Sequence, residues 1–158
     1  MVNTWHPAIN FVPHRPPMML VDFVRLVNNA GEAGAENSQA EVKSIVKPEW
    51  PVLNPAGRVM PTAFFEVAAQ SFAAMAGLQL SLSGANESDS RLGFLVALKR
   101  FNFYGDAGIG DELLTSVSIT ASLGEFSVVQ GEIRLQGQLL AEGQLKVYCP
   151  TADEVQHM

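Results

Sequence analysis

Residues Thr62–Gln79 read TAFFEVAAQSFAAMAGLQ, the most apolar helical stretch of the chain, with Glu66 as its one charged side chain. Pro61 precedes it, and Thr62 suits a cap or first-turn position. Thr62, Glu66 and Gln70 are spaced four apart, so a helix stacks them into one narrow polar stripe. Every other face carries residues such as Phe64, Phe65, Val67, Phe72, Met75 and Leu78, which predicts a helix enclosed on nearly all sides. An ionised carboxylate in such surroundings is costly unless it is paired or neutralised. General acid/base chemistry uses such a group. A core carboxylate held by a backbone, Tyr or Ser partner would fit the same pattern. Chemistry is the preferred reading.

Strand patterns surround this helix. Met18–Val27 is β-rich and Ser38–Val46 alternates loosely, while the proline-punctuated Lys47–Met60 reads as a loop. Ser81–Arg91 is polar and turn-rich. Four strand-like runs follow: Leu92–Tyr104, Glu112–Ala121, Phe126–Leu135 and Gln138–Tyr148. In the last three, one face carries Leu113, Val117 and Ile119, then Val129 and Ile133, then Leu139, Ala141, Leu145 and Val147. Short turns at Ser122–Glu125 and Gln136-Gly137 join them into an antiparallel meander. The expectation is a single α+β domain over 1–158, its sheet wrapped around the helix. Residues 1–17 form an irregular N-terminal segment and 150–158 a tail.

Composition removes several classes of function. At 47% hydrophobic and 16% charged residues, few charges remain to solvate a large free surface, a hint of a buried subunit interface. Residues 1–100 hold eight basic and eight acidic side chains, and residues 101–158 two and eight. No basic stripe suits a phosphate backbone, so nucleic acid is not an expected partner. One cysteine, Cys149, excludes an internal disulfide and fits a reducing cytoplasm. With scattered His6, His14 and His157, no metal-ligand spacing is present and no metal is expected. Neither a membrane span nor a secretory leader is expected.

The stretch PHRPPMMLVDFVRLV (Pro13–Val27), the helix motif EVAAQ (Glu66–Gln70) and ALKRFNFYGDAGIGDELL (Ala97–Leu114) resemble the hot-dog β-hydroxyacyl-[acyl-carrier-protein] dehydratases of fatty-acid synthesis. The closing GEFSVVQGEIRLQGQLLAEGQLKVY is similar to that family's last two strands. The opening and the helix also look like dehydratase-like proteins of aryl-polyene and polyketide pathways. This resemblance implies a hot-dog fold paired into a dimer, with the active site at the dimer interface. It implies no cofactor, since the substrate rides on phosphopantetheine of an acyl-carrier protein or as a coenzyme A thioester. By motif, Glu66 takes the place of the helix acid and Gln70 the polar residue one turn later. Lys99 and Arg100 fall where the family is basic near the tunnel mouth. Pro61, Thr62, Phe65 and Arg58 complete the candidate substrate-binding set.

The family's catalytic histidine sits in a Gly-His-Phe-Pro loop ahead of the helix acid, and here the match breaks. The corresponding loop, EWPVLNPAGRVMP (Glu49–Pro61), has no histidine, and Asn54 lies nearest the expected place. His14 matches the family's opening Pro-His-Arg, which carries a structural role. Dehydration needs a base for the proton alpha to the carbonyl and an acid for the departing hydroxyl. In the family, backbone N–H groups at the helix start polarise the carbonyl. Asn54 cannot serve as a base, so it is assigned to positioning substrate or water. Three readings follow: a dehydratase with an unusual dyad or a histidine from a partner subunit, a hot-dog thioesterase, or a non-catalytic acyl-binding subunit. The isolated homodimer is then expected to be a poor dehydratase, and a heterodimer with another dehydratase subunit a better one.

Overall fold

A computed structural model describes residues 3–28, 35–84 and 93–149. In chain order its elements are β1 (His6–Pro7), β2 (Phe23–Asn28), β3 (Gln39–Ile45), α1 (Ala63–Leu82), β4 (Phe94–Phe103), β5 (Glu112–Leu123), β6 (Phe126–Leu135) and β7 (Gln138–Tyr148). The strands form one antiparallel sheet in the order β1-β2-β3-β5-β6-β7-β4. The sheet curves around α1, which packs on β2, β3, β5 and β6.

The alternating runs explain the meander. In β5, Leu113, Thr115, Val117 and Ile119 face inward and are buried, while the residues between them face out. β7 departs from the expected pattern: Leu140, not Leu139, is buried beside Ala141. The pairing steps from Ile133↔Ala141 to Arg134↔Leu139, so Leu140 is an extra residue that turns inward at a bulge. Two core clusters lie beneath the helix. One gathers Phe72, Met75 and Leu78 with Val24, Val42 and Val129, the other Phe64 and Val67 with Trp50, Leu113 and Ile133. Each such large side chain contributes roughly 1.5–3 kcal/mol by leaving water.

Three expectations are revised. The helix runs two residues into the polar stretch, to Leu82; Ser83 and Gly84 form a turn, and 85–91 lie outside the described residues. The helix is not enclosed on all sides: Phe65, Glu66, Ala69, Ala73, Ala76 and Gly77 are half-buried, because one curved sheet covers only part of a cylinder. The N-terminal segment is also more ordered than its prolines suggest. It pairs His6 with Val24, makes a 3-10 turn at Ala8–Asn10 and crosses α1. Phe11 fits there because Gly77 has no side chain: a Cβ on Gly77 would lie 2.7 Å from the Phe11 carbonyl oxygen.

At the far edge, β4 and β7 lose register between Lys99 and Asn102, so Arg100 and Phe101 together oppose Gly143. Arg100 adopts a left-handed φ of 52° there, and Phe101 lies against Gly143, whose Cβ would sit 2.6 Å from the Phe101 Cα. The bulge brings the ring of Phe101 within 4.8 Å of that of Phe65 on the helix.

Candidate active site

Gln70 organises the site. Its side chain is fully buried, and its oxygen accepts from the backbone N–H of Leu20 at 2.7 Å. Its nitrogen donates to the Met18 carbonyl and to Glu66 Oε1, both at 2.9 Å. One carboxamide therefore ties the helix to the segment entering β2 and holds the carboxylate one turn away. The Thr62–Glu66–Gln70 stripe runs inward, from exposed through half-exposed to fully buried.

Glu66 is less enclosed than its sequence neighbours suggest, its side chain keeping 40% of its exposure. The stripe opens on the uncovered face of the helix, which explains the difference. Against it stands His14, whose Nε2 lies 3.5 Å from Glu66 Oε1. The imidazole Nδ1 is buried without a hydrogen-bond partner. The backbone around His14 is tied down by the Arg15 guanidinium, which donates to the carbonyls of Val12 and His14. The sequence motif assigns His14 a structural part, and the structure adds its place 3.5 Å from Glu66. Spacing could not bring it to the helix, because the N-terminal segment reaches α1 only by folding across Gly77.

The loop residues are otherwise engaged. Asn54 Oδ1 accepts from the backbone N–H groups of Ala56 and Arg58 at 2.9 and 3.0 Å, closing a turn within the loop. Arg58 pairs with Asp106 through two hydrogen bonds of 3.2 and 2.7 Å. The Asp106 contact raises the guanidinium pKa, and Arg58 in turn holds the Asp106 carboxyl below its ordinary value. Thr62 occupies the N-cap position without a side-chain hydrogen bond. The amides of Ala63, Phe64 and Phe65 instead donate to the carbonyls of Met60, Pro61 and Thr62. Those three donors are thus engaged at home, not free for a carbonyl as the resemblance implied.

Lys99 and Arg100 project from the β4 bulge, exposed and without an acidic partner in salt-bridge reach among the described residues. Phe65 joins Phe101 and Phe103 in an aromatic group beside the Glu66 turn. Among the described residues no cluster of His, Cys, Asp and Glu could hold a metal ion, and no helix is long and apolar enough to cross a membrane.

A long helix carrying a half-exposed carboxylate, cradled in a seven-stranded antiparallel sheet, defines a protein of the hot-dog class. Residues 6–158 match the model of the ApeP dehydratase family, and the chain belongs to that family. It is a dehydratase-like hot-dog protein of the ApeP and FabZ type, a hydro-lyase by family. A 3-hydroxyacyl-[acyl-carrier-protein] dehydratase FabZ from Syntrophomonas wolfei is 28% identical over 137 residues, covering 86% of this chain and 88% of that protein. Among solved structures, the dehydratase heterocomplex ApeI:P from Xenorhabdus doucetiae superposes with a TM-score of 0.77 at 21% identity, covering 96% of each chain. The PaaI protein from the E. coli phenylacetic acid degradation operon has a TM-score of 0.56 at 17% identity, with 80% of this chain and 79% of that one covered.

Proposed function

We propose that this chain dehydrates β-hydroxyacyl thioesters, delivered on the phosphopantetheine arm of an acyl-carrier protein, in the cytoplasm. Glu66 is the group that exchanges protons with substrate, and Gln70 is its positioning residue. The observation that carries the reading is the Gln70 clamp: a fully buried amide bonded to two backbone groups presents a half-exposed carboxylate on an open helix face. A merely structural acid would sit at the closed end of such a stripe.

The site is completed by a second subunit. β4 is a ten-residue edge strand with Leu95, Val96, Leu98 and Phe103 exposed, the kind of edge that a second copy or another dehydratase subunit covers. The Xenorhabdus relative, a dehydratase heterocomplex, supports such a partner. Phe65 and its aromatic neighbours face the acyl chain, with Pro61 and Thr62 shaping the entrance. Asn54 and Arg58 hold the loop beside it, and Lys99 and Arg100 attract the acidic carrier.

The test is turnover of β-hydroxyacyl and saturated acyl thioesters by the purified protein, alone and mixed with a histidine-bearing dehydratase subunit. Formation of the enoyl thioester, lost in Glu66→Gln, is expected. Hydrolysis of the saturated thioester would replace the reading with a thioesterase.

A further inference from the structure

A second group of polar atoms lies deep in the core, away from Glu66, on the side of the sheet that faces the helix. Ser44 on β3 and Thr115 on β5 have no exposure, and neither Ser44 Oγ nor Thr115 Oγ1 has a hydrogen-bond partner among the described residues. Buried polar atoms are paired in the great majority of cases, so two such neighbours need a reason. Ala40, Val42 and Ser44 are the buried positions of β3, and Leu113, Thr115, Val117 and Ile119 those of β5. Val42 stands opposite Thr115 and Ser44 opposite Leu113, which makes Ser44 and Thr115 diagonal neighbours on one face. Diagonal side chains across an antiparallel pair lie roughly 7 Å apart. A direct O–H···O bond closes at about 2.8 Å and cannot cover that span. Two such bonds in series, through one shared water, match it.

The loop before the helix brings a third polar atom. Trp50 is 3% exposed and packs in one cluster with Val46, the next inward residue after Ser44, and Leu113, the residue opposite Ser44. Its Nε1–H has no acceptor among the described residues. An indole N–H only donates, whereas serine and threonine hydroxyls both donate and accept. These three side chains are enclosed within one protomer, so a partner subunit cannot supply their bonds.

We propose that the core holds one internal water, bonded to Ser44 Oγ, Thr115 Oγ1 and Trp50 Nε1, and that this water fastens the Glu49–Pro61 loop to the sheet. Three partners are what a buried water ordinarily has. The entropy of holding one water is small beside the cost of leaving three buried polar atoms unpaired. Arg58 clips the same loop from outside, through Asp106, and the water is its inner fastening. The site stands independently of the chemistry assigned to Glu66.

Oxygen-17 magnetic relaxation dispersion on the purified protein counts waters held inside for longer than the molecule tumbles. The wild type is expected to hold one more such water than Thr115→Val, Ser44→Ala or the double variant. Trp50→Phe, a ring without a donor, should lower the same count. Each of the first two changes should also lower Tm by about 2–6 °C, because the remaining polar atoms lose their bridge. The double variant should lose less than the sum of the two single shifts, since its second change removes an atom already stranded. An unchanged water count in Thr115→Val and Ser44→Ala would overturn the proposal. So would a higher Tm in Thr115→Val, the mark of a hydroxyl buried dry and better replaced by a methyl group. Additive Tm shifts would show two separate sites in place of a shared one, and an unchanged count in Trp50→Phe would overturn the fastening of the loop. Should one hydroxyl variant fail to fold, the other carries the same comparison of water count against Tm.

Discussion

At the carboxamide of Gln70, three hydrogen bonds converge on one side chain with no exposure at all. Gln70→Ala would strand the buried Leu20 N–H away from water and take a donor from the Met18 carbonyl. The expected loss is about 2–4 kcal/mol of stability in urea unfolding. Glu66→Gln, at a half-exposed position that keeps an acceptor for Gln70, should stay within about 0.5 kcal/mol of wild type in the same measurement. That contrast separates the residue that builds the site from the one proposed to work in it. The stripe at four-residue spacing was legible in the sequence because helical periodicity alone sets it. The roles of Asn54 and His14 were not. Asn54 is consumed by a local turn, a choice that depends on backbone dihedrals. His14 reaches Glu66 through tertiary folding that no short-range pattern encodes.

Elements tell a similar story. The boundaries of β6 and β7 match their alternation, whereas the bulges at Leu140 and at Arg100–Phe101 escaped it, since a bulge is set by the partner strand. The crossing of the N-terminal segment over α1 depends on one missing methyl group. Gly77→Ala is better for an isolated helix by about 1 kcal/mol. In the protein its Cβ would meet the Phe11 backbone, so a net loss of about 1–3 kcal/mol is expected in thermal unfolding. Thioester turnover should fall too, because His14 follows Phe11. The loop and the segment before β5 are pinned by Arg58 and Asp106. With Asp106 held below its ordinary pKa, this pin is fully present above the unfolded carboxyl value and is lost as pH falls through the lower folded one. Hydrogen exchange at the Asn54–Arg58 amides should therefore rise selectively in strong acid. Both groups are exposed, so the effect is local and the rest of the sheet stays protected.

For the molecule as a whole, the proposed pairing through β4 predicts a dimer at micromolar concentration by light scattering. A monomer there would count heavily against the interface. A proline in the middle of β4, as in Leu98→Pro, should shift the mass toward the monomer. Reversing Lys99 and Arg100 to glutamate should weaken carrier-protein binding at low salt and leave turnover of an uncharged pantetheine thioester nearly intact. Equal loss on both substrates would indicate damage to the fold instead. The Leu20–Gln70 bond closes a separation of fifty residues, whereas β5, β6 and β7 follow one another through short turns. Local hairpins close fast, and distant contacts wait for the entropy of a large loop to be overcome. In refolding followed by pulsed hydrogen exchange, the meander is therefore expected to gain protection first and the N-terminal segment to dock on the helix afterwards. On that order, a newly made chain would hold most of its sheet before Gln70 is clamped, and the proposed site would be the last part of the molecule to take shape.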